Sequence, residues 1–197
     1  MLGLFDEKLL FDAGKKTITH FDMPDAGMIL REQFFEKDVS DRFYEVLLAR
    51  TPWQQRERKM YDKMVLDPRL TAWYDNHENN WTPELLAIKN KVEAACGIQF
   101  NSVLLNLYRD GKDSVSWHSD TKPVSGHQPI ASVSFGQTRP FHVRHKFNID
   151  IKPFSVPLTH GSFLLMPAIM QEYWEHHIPK TSKPVAPRIN LTFRIRD

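Results

Sequence analysis

Hydrophobic positions recur with two different periods along this chain, and the change comes near its middle. After Asp38, the apolar residues Phe43, Val46 and Leu47 return at helical spacing. Asp38 or Ser40 is placed to cap that helix, and Thr51-Pro52 to end it. A second helix is predicted with Thr82 as N-cap and Pro83 at the first helical position. It carries Leu85, Leu86, Ile88, Val92 and Ala95 and stops at Gly97. Ahead of the helices, residues up to about 30 are broken by Gly14, Pro24 and Gly27 and read as short extended pieces. The polar stretch from Gln54 to Lys63, followed by Asp67-Pro68-Arg69, reads as strand and loop.

Beyond Gly97 the period shortens. Strands are predicted over residues 102–108, 130–135, 141–145, 154–158, 162–166 and 188–195, separated by turn residues, and the proline-rich residues 179–187 read as a loop. Helices first and then a run of short strands predict a mostly β fold with N-terminal helices, a double-stranded β-helix (jelly-roll) core. A length of 197 residues suits a single domain over 1–197. Residues 1–98 would form an N-terminal extension and helical layer with a substrate lid, and 99–197 the catalytic β core.

Composition narrows the setting. A hydrophobic share of 41% and a charged share of 25% are those of an ordinary globular protein. The longest apolar run, residues 162–170, is broken by Pro167 and is too short to span a membrane. The first residues show no basic segment leading into an apolar one, so no leader peptide is expected. Cys96 is the lone cysteine, which excludes an intrachain disulfide and fits a reducing compartment, cytoplasmic or, in a eukaryote, nuclear. A monomer is expected. The net charge of +2 is too small to identify a nucleic-acid binder, so that reading must come from local clusters.

Chemistry concentrates in the β half. Trp117-His118-Ser119-Asp120 places an imidazole and a carboxylate two residues apart, on one side if the segment is a strand. A later histidine, from the pair His176-His177, would complete a two-histidine, one-carboxylate triad for non-haem iron(II), leaving coordination positions open. On the final strand Arg188, Asn190, Thr192 and Arg194 share a face, and two guanidiniums aimed at one cavity suit a dicarboxylate. Asn106 and Tyr108, two apart on an otherwise apolar strand, can donate to the same ligand. Each has a bland alternative: a core histidine, a turn aspartate, a solvated polar strand face. The joint spacing outweighs them. His20, His77, His127, His142, His145 and His160 lack comparable partners and read as surface or structural.

Basic residues interleaved with aromatics occur at Arg56, Arg58, Lys59, Tyr61 and Lys63, and again at Arg139, Arg144, His145 and Lys146. Such groups can contact phosphates without reading sequence. Alone they would be taken for a solvated charged face.

With these pieces in place the sequence resembles the AlkB family of iron(II)- and 2-oxoglutarate-dependent dioxygenases, which demethylate alkylated nucleic-acid bases. The likeness is carried by residues 100–111, Trp117-His118-Ser119-Asp120, residues 129–136, His160-Gly161-Ser162, Trp174-Glu175-His176 and residues 187–194. It spans about Pro68 to the C-terminus. The resemblance implies His118, Asp120 and His176 as iron ligands, His176 being chosen over His177 by the family's W-x-H-x-[LIV]-P pattern. It implies Asn106, Tyr108, Arg188, Asn190 and Arg194 as the 2-oxoglutarate set, with O2 as second cosubstrate. Substrate contacts are expected from Arg69, Trp73, Tyr74, Thr121, Arg144 and Lys146, with His118 or the aromatic pair stacking on a flipped base.

Two departures bear on the substrate. Thr121 stands where many relatives carry a second acid, and the aromatic lid stretch between Trp73-Tyr74 and Pro83 is shortened. The function expected is oxidative demethylation of alkylated DNA or RNA bases, releasing formaldehyde, succinate and CO2. The alternative is a 2-oxoglutarate-dependent oxygenase acting on a protein, lipid or small molecule. A non-catalytic nucleic-acid-binding module is disfavoured by the intact ligand and arginine set.

Overall fold

A computed structural model of the chain describes residues 11–60, 63–78, 80–120, 126 and 128–197. Thr121, Tyr61, His127 and the first ten residues lie outside them, and with them the expectations placed there.

The described residues form two packed antiparallel sheets with helices on one outer face. The chain begins with a hairpin, β1 (Ile18–Met23) and β2 (Ala26–Arg31), followed by α1 (Lys37–Arg50). A small separate hairpin, β3 (Glu57–Met60) and β4 (Lys63–Leu66), precedes β5 (Leu70–Asp75) and α2 (Pro83–Cys96). Then come β6 (Ser102–Tyr108), β7 (Val115–His118), β8 (Ile130–Gly136), β9 (Arg139–His145), β10 (Phe154–Leu158) and β11 (Ser162–Met166). A single turn of helix, α3 (Met170–Tyr173), leads into β12 (Trp174–Ile178), and β13 (Arg188–Arg194) closes the chain. The larger sheet runs β1-β2-β11-β8-β13-β6-β5 and the smaller β10-β9-β12-β7. Three strands of the first half, β1, β2 and β5, therefore extend a sheet whose centre comes from the second half. No helix among the described residues is long and apolar enough to cross a membrane.

Local rules explain both longer helices. Thr82 accepts a hydrogen bond from the Leu85 amide, Pro83 follows at the first position, and Gly97 closes α2 in the left-handed conformation at φ 70°. In α1 the start differs from the sequence expectation: Glu36 occupies the cap position without a side-chain bond, and Asp38 falls in the first turn. Ser40 is buried instead, its hydroxyl donating to the Phe35 carbonyl at 3.2 Å.

The larger sheet is apolar on its helix side. Ile189, Leu191 and Phe193 of β13 alternate outward and pack with Val103, Leu105, Phe135, Leu85, Ile88 and Val92. Each such side chain stabilises the fold by about 1.5–3 kcal/mol on burial. A second cluster, including Leu30, Phe141, Val143, Leu158, Met166 and Trp174, fills much of the space between the sheets. The remaining space is lined by polar side chains together with Phe141, Leu158 and Met166 of that cluster.

Candidate metal and cosubstrate centre

β13 runs between β8 and β6, so its inner-facing side chains sit at the middle of the larger sheet. Alternation turns Arg188, Asn190, Thr192 and Arg194 into the gap, where they line a cavity with Asn106, Tyr108, His118, Asp120 and His176. The polar face of this strand is thus buried rather than solvated.

At the inner end, Arg188 is 1% exposed and donates through Nη2 to Ser134 Oγ at 2.9 Å. Its guanidinium carbon stands 5.2 Å from the Tyr108 ring centroid. Its Nε and Nη1 have no hydrogen-bond partner among the described residues. Burial lowers its pKa to about 10, which still leaves the group charged at neutral pH. A buried cation with two idle donors is expensive unless an anion joins it. Opposite it on β8, Gly136 has φ 88°, and a Cβ there would stand 2.5 Å from the Pro187 carbonyl oxygen. Only glycine fits at that approach.

The two asparagines of the cavity differ. Asn190 is committed: its Nδ2 donates to Ser132 Oγ at 2.7 Å and to the Val133 carbonyl at 3.1 Å, while Oδ1 accepts from Thr192 Oγ1 at 3.0 Å. It lines the cavity with its amide already used, which argues for a supporting place rather than the contact expected of it. Asn106 accepts from Arg69 Nε at 2.8 Å through Oδ1.

The smaller sheet faces this row with His118, Asp120 and His176. His118 and His176 are directly paired across β7 and β12, with ring centroids 4.4 Å apart. The next pair is Val115 with Ile178, so Ser116 and Trp117 stand opposite His177 alone. This bulge changes the parity of β7. Val115 and His118 both reach the cavity, while Trp117 stacks on His177 at 3.9 Å. β7 ends at His118, so Asp120 is not presented by a strand, contrary to the reading of H-x-D. It is held from a loop: its amide donates to Gln171 Oε1 at 3.0 Å, and Oδ1 accepts from Arg194 Nη2.

Among the described residues no three His, Cys, Asp or Glu side chains form a finished coordination shell. The three here approach in pairs, His176 Nε2 lying 3.8 Å from Asp120 Oδ2. Their chemistry nonetheless fits a divalent metal. His118 Nδ1 faces the Ser116 carbonyl at 2.8 Å and must donate to it, which leaves the Nε2 lone pair for a ligand bond. Burial, followed by the neighbouring His118, lowers the pKa of His176 to about 3, keeping that imidazole neutral. For Asp120 burial opposes the charge, but Arg194, His176 and His118 outweigh it and hold the carboxyl below its usual range. Two imidazoles and a carboxylate are the donor set of an iron(II) facial triad.

A larger cleft of about 610 Å³ adjoins this cavity, sharing Leu104 and Arg194 with it. Its walls include Arg56, Trp73, Glu78, Asn80 and Arg196. Trp73 Nε1 donates to Asp75 Oδ2 at 2.8 Å, and the Arg196 guanidinium lies 4.6 Å over its ring.

Several expected substrate residues do not reach these spaces. Tyr74 points to the other face of β5 and is buried in the helix-side core, so it cannot stack on a base. Arg69 lines the inner cavity rather than the cleft. Arg144 donates from Nε to Glu175 Oε1 at 2.5 Å and covers Trp117, and Lys146 donates to the Gln171 carbonyl at 2.6 Å. Sequence reasoning missed Ser132, Ser134, Leu104 and Gln171. The period-two serines on apolar β8 were a usable signal, whereas Gln171 had none.

The chain matches, over residues 27–194, the family described as the 2OG-Fe(II) oxygenase superfamily. It belongs to that superfamily, whose members use Fe(II) with 2-oxoglutarate and O2 as cosubstrates. Within it, the chain falls in the AlkB family. It is 42% identical over 180 residues to "Alpha-ketoglutarate-dependent dioxygenase alkB homolog 3" of Bos taurus, covering 82% of this chain and 63% of that protein. It is 41% identical over 121 residues to "DNA oxidative demethylase ALKBH2" of Homo sapiens, covering 58% of this chain and 46% of that protein. The chain therefore spans under two thirds of the length of these relatives. The solved structure of OsALKBH1 superposes with a TM-score of 0.63 over 91% of this chain and 100% of that one. At 15% identity that likeness shows the shared fold.

Proposed function

We propose that the protein is an Fe(II)- and 2-oxoglutarate-dependent oxidative demethylase of alkylated nucleic-acid bases. The observation that carries the cosubstrate half is Arg188: a buried guanidinium with idle donors, at the inner end of a cavity that also holds two imidazoles and a carboxylate. The nucleic-acid half is supported by the relative named as a DNA oxidative demethylase and by the adjoining cleft, where three arginines and an indole line one space.

His118, Asp120 and His176 would hold the iron. Arg188 would pair with the far carboxylate of 2-oxoglutarate, Tyr108 flanking it, while Asn106 offers its amide. Arg194, bonded to Asp120, bridges the metal side to the cleft and would steady both the ligand carboxylate and the near end of the cosubstrate. Iron(II), 2-oxoglutarate and O2 together supply the oxidising power that turns an N-methyl group into N-hydroxymethyl, with succinate and CO2 formed. The hydroxymethyl group then loses its hydroxyl proton, the C–N bond breaks, formaldehyde leaves and the base nitrogen keeps the electron pair. The chain's own part is to hold, orient and exclude competing reactions. Trp73 gives a flat wall for a base, and Arg56 and Arg196 can meet phosphates beside it. A base taken from a duplex must first be flipped out, at a few kcal/mol.

The test is formaldehyde release from methylated DNA and RNA oligonucleotides, single- and double-stranded, with succinate measured in parallel and a control lacking oligonucleotide. Release stoichiometric with succinate is expected. If no oligonucleotide yields formaldehyde or stimulates succinate formation, the demethylase reading is wrong and an oxygenase of another substrate class replaces it.

A further inference from the structure

Asn106 and Asn190 are cross-strand neighbours on β6 and β13, yet their amides are anchored from opposite ends. Asn190 spends its NH2 group on Ser132 and Val133. Asn106 instead spends its carbonyl oxygen, on Arg69 Nε at 2.8 Å. A guanidinium has donors and no acceptor, so it can take hold of an asparagine only by the oxygen. The bond therefore fixes which way the Asn106 amide is turned. Its Nδ2 makes no hydrogen bond among the described residues and is the end left to the cavity that Asn106 lines.

Arg69 is itself well placed. The Pro68 carbonyl accepts from the Ser114 amide at 2.8 Å, and β5 begins at the next residue, with Thr71 paired to Asn106. The chain thus turns into the sheet beside the asparagine that Arg69 holds.

We propose that Arg69 is a positioning residue for the cosubstrate, acting through Asn106. It holds the amide oxygen, so that the NH2 group is presented to the same anion that Arg188 binds two rungs away. Without Arg69 the amide is free to turn its oxygen toward that anion, replacing an attraction by a repulsion. The proposal rests on reading the cavity as the 2-oxoglutarate site. It moves Arg69 from the substrate, where its sequence position put it, to the cosubstrate.

The experiment is a double-mutant cycle on 2-oxoglutarate binding to the Mn(II)-loaded protein, read by calorimetry, with thermal melts for every variant. Arg69→Met should weaken binding about tenfold, the size of one hydrogen bond to a charged group. In an Asn106→Ala background the same change should have almost no further effect, because its path of action is gone. Arg69→Lys and Arg69→Gln, which can still donate to the oxygen, should recover most of the loss. The Asn106 side-chain NH2 signals in a 15N spectrum should shift in Arg69→Met and stay near wild type in Arg69→Gln. An equal loss in both backgrounds would mean that Arg69 touches 2-oxoglutarate directly, and no loss would mean that it does not serve the cosubstrate. Either result overturns the proposal. Failure of the wild type to bind 2-oxoglutarate at all would instead overturn the cavity reading on which it rests. If Arg69→Met does not fold, Arg69→Ala, which likewise cannot donate to the oxygen, against Asn106→Ala completes the same cycle.

Discussion

His118 and His176 face each other across a single rung of β7 and β12, their ring centroids 4.4 Å apart, while His177 turns away to stack on Trp117. Adjacent histidines are separated by strand parity alone. His176→Ala should lower Fe(II) or Mn(II) affinity by more than the roughly 10–100-fold that follows loss of a group behind a ligand. His177→Ala should leave it close to wild type. Metal titration by calorimetry distinguishes the two, and the reverse order would assign the metal to the wrong histidine.

Arg188 invites a test of opposing effects. Arg188→Met removes a buried charge without a carboxylate partner, so the protein lacking 2-oxoglutarate should melt at a higher temperature. At this chain length each kcal/mol is worth about 2–4 °C. The same variant should need about a hundredfold more 2-oxoglutarate, the effect of losing a buried charge-assisted pair. A lower melting temperature combined with unchanged cosubstrate dependence would remove Arg188 from the site.

The cations expected to meet nucleic acid are now unequal. Arg56 is exposed in the cleft, whereas Arg144 is held by Glu175 and Lys146 by a backbone carbonyl. Arg56→Glu should weaken oligonucleotide binding and flatten its salt dependence by about one phosphate contact. Arg144→Glu should do less. Fluorescence anisotropy at several salt concentrations reads both slopes, and equal slopes in the two variants would place the nucleic acid elsewhere.

Acid stability should depend on Asp113. Burial opposes its charge, but Arg109, through side-chain and backbone bonds at 2.8–2.9 Å, outweighs that and holds the carboxyl below its usual range. With the folded pKa below the unfolded value of about 3.9, its contribution is present at neutral pH. It is lost as pH falls from about 4 through the folded pKa. Asp113→Asn should therefore cost about 1 kcal/mol at pH 7, the Arg109 partner being half-exposed. The deficit should narrow below pH 4, as urea melts at both pH values would show. A deficit that does not change with pH would rule out the ion pair as its source.

Strands whose two faces are both simple were legible from sequence. The predicted ranges for β6, β10 and β11 coincide with the observed ones. β7 and β12 were not read as strands, because Trp117-His118 and Glu175-His176-His177 put functional or stacked polar residues where an apolar alternation would otherwise show. Trp73-Tyr74 illustrates the opposite failure. Both aromatics were assigned to one lid, although neighbours in a strand must point apart, and β5 sends Trp73 to the cleft and Tyr74 to the core. The metal and cosubstrate residues were legible as types and spacings. Their supports were not, since Ser134 under Arg188 and Gln171 behind Asp120 depend on pairing between distant segments.

The extra residue in β7 has a consequence for how this segment tolerates change. Side-chain direction along a strand behaves like a two-letter reading frame, and Ser116-Trp117 against His177 shifts that frame once, just before His118. Replacing Ser116 or Trp117 alters a surface; deleting either removes the bulge and leaves Val115 and His118 two apart, still opposite Ile178 and His176 and on the same side as them. Between Val115 and His118 a single-codon deletion should therefore be tolerated better than a single-codon insertion, which must enlarge the bulge, and a deep mutational library would display that asymmetry.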